Sequence, residues 1–360
     1  MKVKERVLNK IVDGKEIKVF TLENEAGMYA EVTNLGGILL KLNILDQENV
    51  LTDVVLGYDK FEDYLVNDVY FGAIIGRCAN RTENAKIEIE GQTYQLAKND
   101  GNNHLHGGMK GFNKVVWDSK IVKENNEEFL QLSYLSKDGE ENYPGNVQVT
   151  VNYKFTEDNE LVIEYYAKTD KETIVNLTNH SYFNLAGHDS GNILAHKLKI
   201  YGDKITAVNE ESIPTGEIRN IKETPMDFTE LIEIGRNIES DYDQINIGKG
   251  YDHNWIIDGK RNELKKVADV EEETKGIKME VFSTMPGVQF YSANFLNGQL
   301  GKGGKAYNRR DGLCLETQGF PNAANNKDFP SILLKPEEEY RETTIYKSKG
   351  KTLLHLVQIK

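Results

Sequence analysis

The chain holds two cysteines, Cys78 and Cys314, in 360 residues. They stand far apart, so no disulfide framework organises the fold, and two free thiols in a reducing compartment is the simple reading. Positive charge is also short. There are 44 Lys and Arg against 57 Asp and Glu, a formal net charge of −13. That balance disfavours binding to nucleic acid or anionic lipid. It also weighs against a phosphorylated substrate, unless a local basic pocket overrides it. Long apolar runs are missing, and no window approaches the ~18 uninterrupted apolar residues of a membrane-crossing helix. The first residues, MKVKERVLNK, are charged and carry no apolar core. This argues against a secretory signal and gives cytoplasmic as the expected location. No interior stretch is rich in Pro, Ser or Gly, and no repeat or low-complexity tract interrupts the chain. One domain over residues 1–360 is therefore expected, large enough to bury a core without a disulfide or metal staple.

The standard signatures of several chemistries are absent too. There is no G-x-x-x-x-G-K-[ST], no H-E-x-x-H, no G-x-S-x-G elbow and no Rossmann glycine fingerprint between a strand and a helix. His104 and His106, two apart, would share one face of a strand and could form half of a metal site. No Cys or His at short spacing completes it, so no metal and no other cofactor is expected.

What the chain does have is period two. Ile17/Val19, Ile87/Ile89, Leu130/Leu132/Tyr134, Leu161/Ile163/Tyr165, Leu198/Ile200 and Met279/Val281 alternate with polar neighbours. The longest such set is Val147/Val149/Val151/Tyr153/Phe155. Successive side chains of a strand point to opposite faces, so each run reads as a half-buried strand. Turn signals separate them: Glu90-Gly91-Gln92, Lys137-Asp138-Gly139, Glu157-Asp158-Asn159 and Thr274-Lys275-Gly276. Many short strands with few helical patterns predict an all-β fold, antiparallel sheets packed as a large sandwich. The best helix candidate is TPMDFTELIEIG (224–235), with Asp227 or Thr229 as its cap.

Six segments break the alternation: GRCANR (76–81), NNHLHGG (102–108), TNHSYFNLAGH (178–188), YDHNW (251–255), PGVQFY (286–291) and LETQGFPNA (315–323). They contain His104, His106, His180, His188 and His253; His196 and His355 lie in strand-like runs. A histidine, with an unperturbed pKa near ~6.5, can give or take a proton at neutral pH. A carboxylate in a polar pocket can act as a base. Each such group typically contributes about 10²–10⁴-fold to a rate. Composition and spacing stop there, at a β-rich protein with a polar, histidine-containing site.

The same six segments, in the same order, resemble the successive signatures of the aldose 1-epimerases, also called galactose mutarotases. The resemblance runs from about residue 20 to EEEYRETTIYK (337–347) and covers nearly the whole chain. It implies a galactose mutarotase-like supersandwich with few short helices, which agrees with the period-two reading. It also implies interconversion of the α and β anomers of a free hexose such as galactose or glucose, without cofactor. By the same resemblance Glu316, in LETQ, is the general base that takes the C1 hydroxyl proton. His180, in TNHSYFNL, is the general acid that protonates the ring oxygen. His106 hydrogen-bonds near that oxygen, Asp252 binds sugar hydroxyls, and Arg81, with Asn80 beside it, orients the hydroxyl end. Gln289 stands near the substrate.

Each residue has a structural alternative. Glu316 alternates with Leu315 and Thr317 and could be a solvated strand residue, and His180 could be a hydrogen-bonded core histidine. His106 could cap a turn at Gly107-Gly108, Asp252 could shape a turn beside Gly250, and Arg81 could pair with Glu83. Tyr182, Trp255, Phe320 and Phe112 are aromatic candidates for a sugar face, none of them assigned. Met285, in STMPG, departs from the acidic residue the family often carries there. A hexose 6-phosphate mutarotase, a non-catalytic sugar-binding protein on the same fold, and a glycoside-cleaving enzyme using Asp252 and Glu316 are the competing readings. The expected partner is a small aldose, with no nucleic acid and no membrane, and the expected state is a monomer or homodimer.

Overall fold

The strands sort by their alternation. In Val147–Phe155 the side chains of Val147, Val149, Val151, Tyr153 and Phe155 are fully buried while Gln148 is exposed and Thr150 and Lys154 are half-buried. The neighbouring strand Glu160–Thr169 buries Leu161, Ile163 and Tyr165 in register with them. Each such aliphatic side chain contributes about 1.5–3 kcal/mol by leaving water. The structure, a computed structural model, describes residues 2–125 and 127–350. Within them the alternating runs read from the sequence are strands, and their inward sets are buried apart from half-buried Tyr134.

The largest sheet has nine antiparallel strands. Their order is Asp118–Glu124, Glu127–Ser136, Val147–Phe155, Glu160–Thr169, Tyr340–Gly350, Ile277–Ser283, Lys265–Glu271, Lys197–Ile200 and Ile232–Glu233. Two five-stranded sheets face it. One is made of the first five strands, from Lys2 to Asp53. The other runs Pro214–Asn220, Lys204–Val208, Asp252–Ile256, Gly287–Tyr291 and Cys314–Gln318. One apolar cluster joins all three, taking Val151 and Met279 from the large sheet, Phe20 and Leu42 from the first small sheet, and Trp255, Phe290 and Leu315 from the second. This is the sandwich arrangement, with sheets packed through inward side chains.

The second small sheet positions the site. Its inward residues, Trp255, Val288, Phe290, Leu313 and Leu315, belong to that core. Its opposite face carries Asp252, Gln289, Tyr291, Cys314 and Glu316. Cross-strand pairing aligns Asp252 with Tyr291 and Tyr291 with Cys314, and aligns Gln289 with Glu316. In most half-buried sheets that second face is wet. Here loops cover it, so every residue of Cys314–Gln318 is buried.

One expectation changes. Residues 224–235 form turns, a two-residue strand and a short 3₁₀ turn, not an α-helix. Met226 and Phe228, two apart, both enter the core. Asp227 accepts the backbone N–H groups of Glu223 and Thr229, closing local turns of the kind that compete with helix. Ile232 pairs with Leu198 at the sheet edge. Among the described residues the α-helices are Phe61–Val66 and Asp243–Gly248, and no helix is long and apolar enough to cross a membrane. His355 lies outside the described residues.

Candidate active site

A pocket of about 160 Å³ opens on the outer face of the Glu316 strand. Drug-sized ligand pockets run about 300–1,000 Å³, so this one suits a single small ring. Glu316 and Asp252 form its floor, and Asn80, Arg81, His106 and His180 stand around it.

His180 ends the short strand Thr178–His180, which pairs with Ala73–Ile75 through His180 and Ala73. Its carbonyl accepts the N–H of Gly72 at 3.0 Å. The ring lies between two tyrosines, Tyr70 at 5.7 Å and Tyr182 at 5.1 Å, both nearly parallel to it. Nε2 faces Oε1 of Glu316 at 3.6 Å. Burial pushes the His180 imidazole down to about 4, favouring the neutral ring. Glu316 moves the other way: burial and then the nearby Asp252 hold its carboxyl well above the ordinary range, against the pull of Arg81. Oε2 of Glu316 is buried with no hydrogen-bond partner in the protein. An orphaned carboxylate oxygen is costly unless a ligand uses it.

His106 reaches the pocket through the backbone. His104 and Leu105 pair with Thr82 and Arg81, and then His106 takes a positive φ of 51° that turns its side chain away from the His104 direction. Gly107 follows with φ 88°, and a Cβ there would sit 1.8 Å from the carbonyl oxygen of Gly76, so only glycine lets the two loops pass. Asn99 staples the loop through the carbonyls of Leu105 and Gly108. The backbone N–H of Asn80 donates to Nδ1 of His106 at 3.2 Å. The neutral ring therefore carries its proton on Nε2 and can donate it to an oxygen. Burial holds His106 well below the usual histidine range, helped by His180 and Arg81.

Arg81 donates from Nε to Asp100 at 2.8 Å, while its Nη1 lies 4.0 Å from Oδ2 of Asp252. It does not use Glu83. The 4.0 Å spacing leaves both groups with bonding capacity for a hydroxyl. Burial raises the Asp252 carboxyl, and Arg81 and Gln289 partly restrain it. Gln289 donates to Oδ1 of Asp252 at 2.7 Å from behind the pocket wall. Asp252 is a strand residue, not a turn former.

The remaining loop histidines stay apart. His104 bonds the carbonyl of Ala97 through Nδ1 and the Tyr143 hydroxyl through Nε2, which spends both nitrogens and ends its pairing with His106 as a half-site. His188 bonds Tyr307, His196 accepts the N–H of Leu185, and His253 points away beneath the backbone of Asp252. Trp255, Phe112 and Phe320 are packed in apolar clusters; Tyr182 lines the pocket. Sequence reasoning missed Tyr70, Tyr291 and Phe295 on its wall and Asp100 beside Arg81. Asp100 lies only two residues before NNHLHGG; the others are aromatic residues indistinguishable from core.

Donor atoms of His106, His180 and Glu316 lie within 4.8 Å of one another. A zinc ion at about 2.0–2.1 Å from each ligand needs donors roughly 3.3 Å apart. The N–H of Asn80 already occupies one nitrogen of His106, and the other bears the ring proton. With both nitrogens of His106 so occupied, the neutral trio does not fit a metal ion.

The aldose 1-epimerase family model matches residues 18–347. A galactose mutarotase from Bos taurus is 42% identical over 332 residues, 92% of this chain and 94% of that protein. An aldose 1-epimerase from Escherichia coli is 36% identical over 336 residues, 93% of this chain and 96% of that one. The crystal structure of a galactose 1-epimerase from Lactobacillus acidophilus superposes with a TM-score of 0.84 at 29% identity, covering 97% of this chain and 98% of that chain.

Proposed function

The chain belongs to the aldose 1-epimerase family and is a mutarotase, and from that premise we propose that His180 and Glu316 are the acid and base that open and close the ring of a free hexose such as galactose or glucose. The observation that carries the assignment is that the two stand side by side on the pocket wall. Nε2 of His180 and Oε1 of Glu316 are 3.6 Å apart, buried, and both line the pocket a sugar ring would enter.

Glu316 removes the proton of the C1 hydroxyl. His180 delivers a proton from Nε2 to the ring oxygen. The C1–O5 bond breaks, leaving an aldehyde at C1 and a hydroxyl at C5. Rotation about C1–C2 presents the other face of the carbonyl, and the two proton transfers run in reverse as the ring closes. His106 donates from Nε2 near the ring oxygen. Arg81 and Asp252 hold the hydroxyls, Asn80 clasps His106 through its backbone, and Gln289 steadies Asp252. The opposite pKa displacements of the pair mean that it holds one proton over a wide range. Passing that proton from Glu316 to His180 creates carboxylate and imidazolium without exchange with solvent.

A free hexose is favoured over a 6-phosphate because, among the described residues, Arg81 is the sole Lys or Arg on the pocket wall, and it is engaged with Asp100. The wider setting follows the same reading: one domain over 1–360, acting as a monomer or homodimer in the cytoplasm, supplying one galactose anomer for its breakdown. Following the optical rotation of freshly dissolved α-galactose tests the assignment. Glu316→Gln and His180→Asn are each expected to cut the acceleration by about 10²-fold or more. Full activity in either variant would refute its role.

A further inference from the structure

Cys314 takes no part in the proton transfers, yet it sits beside them. It precedes Glu316 by two residues on the same strand face, and its Sγ lies 3.6 Å from Nδ1 of His180. The imidazole is thus held along its edge, with a thiol at one nitrogen and the Glu316 carboxyl at the other. Its faces are closed by Tyr70 and Tyr182, while His106 and Tyr291 meet the ring nearly perpendicular to it. Arg81, Asp252 and Asp68 are the other charged groups on the pocket wall. These rings on its faces and edges restrict how far the imidazole can turn to find another side-chain partner for Nδ1.

The chemistry of that partner matters. Where a carboxylate bonds Nδ1, as in Ser-His-Asp triads, it stabilises the imidazolium and makes the histidine a base. A thiol is a weak donor and a weak acceptor. It takes the hydrogen of Nδ1–H, or turns its own S–H toward a bare Nδ1, and in neither case brings a counter-charge. Burial, and then Glu316 and Asp252, push the Cys314 thiol up, so it stays neutral.

We propose that Cys314 is a positioning residue whose thiol satisfies Nδ1 of His180 in both charge states without adding a counter-charge, so that Nε2 is held toward the sugar as a ready proton donor. This rests on the acid role of His180, which His180→Asn tests separately. Cys314→Ala and Cys314→Val remove the partner, the second while filling the space; Cys314→Ser keeps a donor and acceptor. With either apolar variant, kcat is expected to fall about tenfold with KM nearly unchanged. The His180 titration, followed by NMR of the ring, should move to lower pH, and the acid limb of kcat should move with it. Serine is expected to restore both. Apolar variants with wild-type kcat and an unmoved titration overturn the proposal. So does a loss of kcat without any change in titration, which would mark Cys314 as packing only. If neither apolar protein folds, a serine variant that lowers kcat and displaces the titration as far as a lost partner would also overturn it.

Discussion

His180 and Glu316 are enclosed together, and enclosure displaces their protons in opposite directions. The neutral form is favoured in each, which lowers the histidine to about 4 and raises the glutamate. With ordinary values, about 4.3 for Glu and 6.5 for His, the form with base ionised and acid protonated would dominate only in a narrow mildly acidic band. Here the state with one shared proton spans a wider range. The profile of kcat/KM should still be a bell, as acid/base chemistry requires, but with a plateau broader than that band. Its acid limb should lie near pH 4, where His180 gains a second proton, and its alkaline limb well above the ordinary carboxyl range. Rates measured from pH 3 to 10 check this, and limbs close to the ordinary values would contradict it. At this scale the sequence offered residue types and motif order. It showed neither that Glu316 is buried nor that Gln289 bonds Asp252 from behind the pocket wall, because both depend on how strands and loops meet.

Among elements, the strands were legible because period two is local: Val147, Val149 and Val151 need no distant partner to declare a face. The 224–235 segment was not, because Met226 and Phe228 are drawn into a core assembled from other strands. The GRCANR loop had a further role hidden in it. Arg77 is buried and donates from Nη1 to the carbonyls of Pro144 and Gly145, at 2.9 and 3.0 Å, and from Nη2 to the carbonyls of Ser136 and Lys137, at 3.2 Å each. It ties the loop bearing Asn80 and Arg81 to the connection between Glu127–Ser136 and Val147–Phe155. Removing it strands several buried carbonyls. Arg77→Met should therefore destabilise the protein by about 3 kcal/mol or more. Lysine should rescue little, lacking the planar fork. Urea midpoints of the purified variants measure both.

For the whole molecule, six histidines, 104, 106, 180, 188, 196 and 253, are held below their ordinary value, in each case first by burial. The unfolded chain binds protons at these sites near pH 6.5 and the folded chain only at lower pH. Stability from them is present above the unfolded value and is lost as pH falls toward the folded values, about 4 for His180 and His196. Carboxylates held low by hydrogen bonds, such as Asp46 and Asp227, lose stability in the same direction, at lower pH. Glu316, Asp252 and Glu342, raised by burial, act oppositely but are fewer. The melting temperature should fall steadily from pH 7 to pH 4. A constant melting temperature over that interval would show that these histidines are not neutral in the folded chain.

The sequence by itself determined the sandwich and the order of the loops upon it, since alternation, turn residues and motif order are read along the chain. It also supplied a histidine and a glutamate of the types proton transfer needs. The tertiary structure decided which of the loop histidines meet: His106 and His180 converge on Glu316, while His104, His188 and His253 are spent on other partners. It decided as well that the outer face of the Glu316 strand is closed over by loops. The reason is that burial and mutual distance are properties of strands and loops brought together from positions far apart in sequence, and those distances set the protons of His180 and Glu316.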